Sequence, residues 1–251
     1  MTGSRVFGVA ATAFGVIALL WRDFATVWHP VPADVPHRAA LVYVTTLLLL
    51  VGGAAVQWHR TLRPGLLLLA ILYLLAACLW LPRVIGYPQL IGTWSGFAQQ
   101  FCLTVAAITV YAMAAPPGTS WAQPLARAGR VLFGLCAIIF GVAHLLALPQ
   151  TAELVPAWLP LGQSFWAIAT GVVFVLAGIS MLVGIYAMIA AVVLAAMLTS
   201  FGLLIWLPSA VRHPHEHIVW AGNTINLAVT AAAWMMAESL RVRRPSAEEG
   251  I

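Results

Sequence analysis

Lysine is absent from this chain of 251 residues, and only 8% of its residues carry a charged side chain. The net charge of +5 at pH 7 therefore comes from arginine, and the arginines stand between apolar stretches rather than in one basic run. With 63% hydrophobic residues, the chain has more apolar side chain than a soluble domain of this size buries. These shortages argue against nucleic-acid binding and predict a protein solvated by a lipid bilayer.

Reactive motifs are also scarce. The cysteines Cys78, Cys102 and Cys136 form no CxxC pair and lie within apolar stretches, so we expect buried free thiols. No GxSxG, HExxH, P-loop or dinucleotide-binding fingerprint occurs, and no haem or flavin motif occurs either. A haem would need axial histidines at membrane depth on facing helices, where only His144 qualifies. These patterns assign no catalytic residue.

Long apolar stretches dominate the chain instead. A bilayer core about 30 Å thick needs roughly 17–25 apolar residues per helix. Eight stretches come near this length, and Gly184 separates the sixth from the seventh: Val6–Trp21, Ala39–Gln57, Gly65–Leu81, Trp94–Ala115, Val131–Leu148, Phe165–Val183, Tyr186–Leu207 and Ile218–Ala237. We therefore predict an all-α polytopic membrane protein with eight transmembrane helices.

The second half of the chain repeats the first at a fixed spacing. Gly141 matches Gly15 (141 − 15 = 126), and Pro208 matches Pro82 (208 − 82 = 126). Four crossings per half give both halves the same orientation, so we predict two parallel repeats, each a four-helix bundle. The predicted division is a first repeat at 1–115, a cytoplasmic linker at 116–129, a second repeat at 130–240 and a cytoplasmic tail at 241–251.

The arginines predict the orientation of the helices. Eight of them fall on one side of the predicted membrane: Arg5, Arg60, Arg63, Arg127, Arg130, Arg241, Arg243 and Arg244. The other side has only Arg22, Arg38, Arg83 and Arg212. We therefore place both termini in the cytoplasm of a cell-membrane protein, at the inner membrane if the organism is bacterial.

Small and amide residues recur on the predicted helices. Gly8 and Gly134 share the spacing of 126 (134 − 8 = 126), and we interpret them as sites of close helix packing. Gln100 and Asn226 also share it (226 − 100 = 126), on the last helix of each half. An amide at membrane depth needs a hydrogen-bond partner, so both should point into the bundle. They serve either to hold helices together or to contact a ligand.

Three runs in the second half resemble a known family. They are FGVAH at 140–144, VPAWLP at 155–160, and Phe165–Trp166 with Thr170–Gly171. Together they resemble the DoxX and DoxX-like family of small four-helix membrane proteins, over about 130–237. The first half resembles a diverged copy, with Ala18 where the second half has His144 and Pro32 where it has Trp158. The resemblance implies the fold first, and then a link to quinone- or thiol-linked redox complexes and their membrane or periplasmic partner proteins.

The candidate site lies in the second half. His144 is three residues beyond Gly141 and should point inward, and an ionisable side chain within a membrane segment is a functional hypothesis by default. We expect an outward pocket near these residues and the 212–217 loop, in which His144 hydrogen-bonds a quinone oxygen, Glu153 tunes its proton affinity and Trp158 caps the site. The alternative is a structural role, in which His144 bonds a backbone carbonyl freed near Pro149.

The run Arg212–His217 suggests a weaker possibility. In an extended chain His213, His215 and His217 would lie on one side and could bind Zn or Cu. The HxHxH spacing is not a specific zinc pattern, and a solvated, titrating loop is the simpler interpretation.

Three functions remain open from the sequence. The first is a DoxX-like accessory or ligand-binding subunit in a membrane redox setting, without a catalytic motif. If the chain is an enzyme, it would be a quinone-linked oxidoreductase subunit. The second is a carrier of small molecules or lipids that uses the cleft between the two repeats. The third is a structural partner of another membrane protein.

Overall fold

The structure is a computed structural model that describes residues 2–25 and 27–241. Within these residues the chain forms helices and no strand. The helices are α1 (Thr2–Trp21), α2 (Arg38–Ala55), α3 (Leu62–Cys78), α4 (Leu81–Gly86), α5 (Ile91–Met113), α6 (Ala122–Leu146), α7 (Leu148–Leu154), α8 (Gln163–Val183), α9 (Ala187–Phe201), a π-helical segment (Gly202–Trp206), α10 (Leu207–Arg212) and α11 (His217–Arg241). We call α1 to α5 the first half and α6 to α11 the second half.

Seven helical stretches of the described chain are long and apolar enough to cross a membrane: Thr2–Trp21, Arg38–Ala55, Leu62–Gly86, Ile91–Met113, Ala122–Leu146, Gln163–Val183 and Ala187–Arg212. Large apolar side chains such as Leu20, Leu47 and Leu176 lie on the outside of the molecule. So much exposed apolar surface requires lipid rather than water around it. The chain is thus a multi-pass helical membrane protein.

The eighth predicted stretch falls in α11, which is not one of the seven. This helix has 25 residues, but Asn223, Asn226 and Thr230 lower its apolar character. Most of its inward face is buried against other helices, so its polar side chains meet protein rather than lipid.

Several predicted boundaries can be compared with the helices. The break at Gly184 is confirmed, because this residue ends α8 with φ 86°, a left-handed conformation that favours glycine. The predicted linker at 116–129 is wrong in its second part, since α6 begins at Ala122. Pro124 lies in the first turn of α6, where the backbone N–H groups have no helical acceptor, so it does not break the helix. The predicted tail, apart from Arg241, lies outside the described residues.

The helices share one core. α1 packs on α2 and on α11, while α6 packs on α8 and on α5, so the first helix of each half contacts the last helix of the other. α5 and α11 also pack against each other. A single buried cluster contains side chains from both halves, among them Phe7, Leu103, Phe133 and Met236. Each half therefore covers apolar surface of the other.

Local structure recurs between the halves at the spacing found in the sequence. The short helices α4 and α10 begin 126 residues apart (207 − 81 = 126). Trp94 Nε1 donates to Pro88 O at 3.0 Å, and Trp220 Nε1 donates to Pro214 O at 2.9 Å, again 126 residues further on (220 − 94 = 126). The same turn therefore precedes the last helix of each half.

Glycine allows two pairs of helices to approach closely. A Cβ atom on Gly134 of α6 would lie 2.8 Å from the carbonyl oxygen of Gly178 on α8. A Cβ atom on Gly8 of α1 would lie 2.6 Å from the carbonyl oxygen of Gly53 on α2. These distances are too short for any side chain, so the predicted packing role of Gly8 and Gly134 is confirmed.

We expect Gly134→Ala to lower the stability of the protein by about 1–3 kcal/mol, because the added methyl group forces α6 away from α8. Gly92→Ala is the matched control, since a Cβ atom there meets nothing within 4 Å. Thermal unfolding of both variants in the same detergent checks this. Equal unfolding temperatures for the two variants would contradict the close-packing argument.

Candidate functional site

A cavity of about 740 Å³ lies in the second half, and we call it the main cavity. It is bounded by α6, α7 and the turn after it, α8, α9, the π-helical segment and α11, and two residues of α5, Ser95 and Gln99, also line it. Its aromatic lining residues are Phe140, Trp166, Phe174, Phe201 and Trp206. It reaches Val229, the middle residue of α11. Its size suits a small organic ligand.

His144 lines the main cavity, as the sequence predicted for an inward-facing residue. Its Nδ1 lies 2.8 Å from Phe140 O. A carbonyl oxygen can only accept, so Nδ1 carries the proton and the neutral ring keeps Nε2 as an acceptor. Nε2 has no hydrogen-bond partner among the described residues. The hydrogen-bond partner of His144 is therefore the carbonyl of Phe140, four residues earlier in α6. It is not a carbonyl freed near Pro149, as the alternative structural role assumed.

Glu153 and Trp158, predicted beside His144, line a neighbouring pocket together with His213. Trp158 is 71% exposed, and within the described chain Glu153 forms no hydrogen bond or ion pair with His144. The two pockets adjoin, since Leu154, Val155 and Pro156 line both of them. The predicted roles of Glu153 and Trp158 remain predictions.

Trp206 of the π-helical segment and Asn226 of α11 both line the main cavity. Asn226 Nδ2 donates to Leu198 O at 3.1 Å, and Asn223 Nδ2 donates to Trp206 O at 2.7 Å. These bonds satisfy carbonyls near a wider helical turn, a feature often found at functional sites. Asn226 Oδ1 and Trp206 Nε1 have no partner in the described part of the chain. Asn226 therefore both holds helices together and offers an acceptor to the cavity.

In the first half, Trp28 and His29 fill the corresponding space. Trp28 O accepts from Trp80 Nε1 at 3.1 Å and from Gln100 Nε2 at 3.3 Å. The His29 ring lies 4.7 Å from the Phe14 ring, centroid to centroid. Phe14, Trp80 and Gln100 correspond at the spacing of 126 to Phe140, Trp206 and Asn226. Trp28 and His29 therefore occupy the counterpart of the main cavity.

Trp28 and His29 are both buried, with only 8% and 7% of their surface exposed. Gln100 is fully buried beneath them and does not line the main cavity. The Trp28 carbonyl can leave water because it accepts hydrogen bonds from Trp80 Nε1 and Gln100 Nε2.

The histidines at 213–217 do not form a metal site in the described residues. His213 follows α10 and lies 3.2 Å from Glu216 through its Nδ1, whereas His217 begins α11 and stacks on Trp21 at 5.1 Å. No three His, Cys, Asp or Glu side chains of residues 2–25 and 27–241 come close enough to hold a metal ion. The extended conformation assumed for this run is wrong, because the segment turns between two helices.

The cysteines are free thiols, as predicted, but one position differs. Cys102 and Cys136 are buried, whereas Cys78 is exposed on the outer side of α3 near its end. An apolar stretch predicts only membrane depth, and does not say whether a side chain faces lipid or protein.

The aromatic residues of the main cavity were also missed. Phe174, Phe201 and Trp206 carried no signal as individual residues in an apolar chain. The repeated Trp80–Leu81–Pro82 and Trp206–Leu207–Pro208 could have identified Trp206 as a conserved position of the repeat.

Protein-family models, characterised proteins and solved structures contain no match to this chain. The resemblance to the DoxX family therefore remains a prediction.

The buried His29 predicts a pH dependence. Burial lowers the pKa of His29 from 6.5 to about 4, and the neighbouring Gln100 works against this fall. The folded state thus holds a neutral ring, while an unpacked loop takes up a proton below pH 6.5. Stability from this residue is fully present above pH 6.5 and is lost as the pH falls towards 4, by at most about 3 kcal/mol.

Thermal unfolding of wild type and His29→Phe between pH 7 and pH 4.5 measures this effect. We expect the wild type to lose stability more steeply than the variant, since phenylalanine keeps a ring beside Phe14 without a titrating nitrogen. His215→Phe, at an exposed position, is the control and should follow the wild type. Parallel curves for wild type and His29→Phe would show that His29 does not titrate in this way.

Proposed function

We propose that this protein binds a lipophilic ligand of the quinone class in the main cavity and acts as a DoxX-like accessory subunit in a membrane redox setting. The observation that carries the proposal is the cavity itself. It is aromatic, reaches the middle of a membrane-protein helix, and contains unpartnered polar atoms of His144, Trp206 and Asn226. Sites for small lipophiles combine such an apolar lining with few polar groups.

The redox setting rests on the family resemblance, and the lining residues are compatible with it. His144 presents a neutral imidazole acceptor, and Phe174 and Phe201 lie 5.1 Å and 6.3 Å from its ring. Aromatic rings suit a planar ligand headgroup, and an imidazole can hydrogen-bond its oxygen. No side chain of the described chain is assigned a catalytic role.

The carrier hypothesis needs a cleft between the two halves. The contact between the halves contains fully buried side chains, including Leu103, Ala107 and Ala231. A main cavity enclosed chiefly by second-half helices favours ligand binding over passage between the halves.

The architecture proposed with this function has eight crossings in two parallel repeats with cytoplasmic termini. The matching bounds of α4 and α10, and the repeated turns before α5 and α11, support the repeat. α11 is then the eighth crossing, shielded from lipid by its neighbours. The arrangement differs from two separate bundles, because the repeats exchange contacts through α1 and α6.

Cysteine labelling tests the eighth crossing. In a variant without the three native cysteines, His215→Cys and Arg241→Cys place one thiol at each end of α11. A membrane-impermeant maleimide applied to intact cells should label position 215 and reach position 241 only after permeabilisation. Labelling of both positions from one side would exclude α11 as a crossing, and labelling of position 241 alone would reverse the orientation.

Ligand binding is tested by mass spectrometry of the lipophiles retained after purification in mild detergent. Val173 lines the main cavity on α8, whereas its neighbour Val172 is exposed on the outer face. We expect Val173→Trp to fill the cavity and abolish a retained lipophile that both wild type and Val172→Trp keep. His144→Ala should reduce the retained amount. Wild type without any bound lipophile, or equal retention in both tryptophan variants, would contradict the proposal.

A further inference from the structure

The main cavity contains an indole donor, that of Trp206, whose counterpart in the first half, Trp80, has a hydrogen-bond acceptor. In the first half, Trp80 Nε1 donates to the Trp28 carbonyl at 3.1 Å. In the second half, Trp206 lines the cavity, and its Nε1 has no acceptor among the described residues. The residues from Leu154 to Leu159 that also line the cavity form no hydrogen bond with Trp206. An indole N–H in an apolar site calls for an acceptor.

The same cavity holds two acceptors without donors. The Nδ1–H of His144 is bound to Phe140 O, which leaves Nε2 as an acceptor. The amide N–H of Asn226 is bound to Leu198 O, which leaves Oδ1 as an acceptor. Neither atom has a partner in the part of the chain that the structure describes.

The remaining polar residues of the main cavity do not remove this excess of acceptors over donors. Thr170 and Ser200 use their hydroxyl protons on backbone carbonyls, so only their oxygens remain for a ligand. Ser95, Gln99 and Thr151 carry both donors and acceptors and do not discriminate. The cavity thus has one fixed donor and an excess of fixed acceptors.

The first half also indicates where the ring of a ligand would lie in the main cavity. The His29 ring lies against Phe14 and beside Gln100, directly after the Trp28 carbonyl that Trp80 binds. The corresponding residues of the second half are Phe140 and Asn226, which both line the main cavity. A planar ring bearing an oxygen would reproduce the contacts that the chain makes with itself in the first half.

We infer that the main cavity selects a lipophile with a hydroxylated aromatic ring, of the hydroquinone class, over the corresponding quinone. A ring hydroxyl accepts from Trp206 Nε1 and donates to His144 Nε2 or Asn226 Oδ1. A quinone has only acceptor oxygens and leaves both of these protein acceptors unpaired, which costs binding energy in an apolar site. This inference rests on the proposed function and specifies the ligand of the same site.

Three probes separate the hydrogen bonds. Decylhydroquinone carries donors and acceptors, its dimethyl ether carries acceptors alone, and decylbenzene carries neither. Binding to purified protein in nanodiscs is measured under anaerobic conditions, with decyl-1,4-benzoquinone as a fourth probe. We expect wild type to bind decylhydroquinone about tenfold more tightly than either the dimethyl ether or decyl-1,4-benzoquinone.

Two variants assign the bonds to atoms. Trp206→Phe keeps a ring and removes the N–H, so the dimethyl ether should bind it no better than decylbenzene. His144→Phe removes Nε2, so the preference for decylhydroquinone over its dimethyl ether should fall. Trp166→Phe is the matched control, since Trp166 lines the cavity but its Nε1 already donates to Pro160 O at 2.7 Å.

The outcomes distinguish this inference from the proposed function. If none of the four probes binds wild type, the proposed function fails and the inference fails with it. If the probes bind but the quinone or the ether binds as tightly as the hydroquinone, the inference is overturned and ligand binding stands. The inference is also overturned if Trp206→Phe and Trp166→Phe change the order of the probes equally.

Discussion

The contact between α5 and α11 is the packing on which the rest of the molecule depends. Both helices bury small side chains, such as Ala106 and Ala107 on α5 and Ala231 and Ala232 on α11. In lipid, where no hydrophobic effect draws helices together, small residues gain stability through close van der Waals contact. With these helices joined, α1 packs on α11 and α6 packs on α5, so the two halves form one core.

The two halves have similar helical frameworks but differ in what fills the space between their helices. In the first half the chain supplies a carbonyl and a ring of its own, from Trp28 and His29, to the helices around Gln100. In the second half the corresponding residues, Leu154 and Val155, line the main cavity, and the space between the helices remains open. Ala18 in the first half corresponds to His144 (144 − 18 = 126), so the open half also has the additional imidazole. Duplication followed by closure of one copy would leave a single ligand site.

The cost of unpaired polar groups in an apolar medium explains why these differences matter. In the filled half, the indole N–H of Trp80 and the amide N–H of Gln100 both donate to the carbonyl oxygen of Trp28. The open half keeps His144 Nε2, Asn226 Oδ1 and Trp206 Nε1 without partners among the described residues. Such atoms are costly in an apolar medium unless water or a ligand pairs with them.

The sequence alone determined the helical class, the membrane environment and most helix positions, because apolar length and glycine or proline boundaries are local properties. The spacing of 126 likewise predicted which residues correspond, including Gln100 and Asn226. Only the tertiary structure decided that the halves share a core, that Glu153 and Trp158 line a pocket adjoining that of His144, and that Trp28 and His29 are buried. Those outcomes depend on loops and on contacts between distant helices, and no local pattern of residues records the free energy of such contacts.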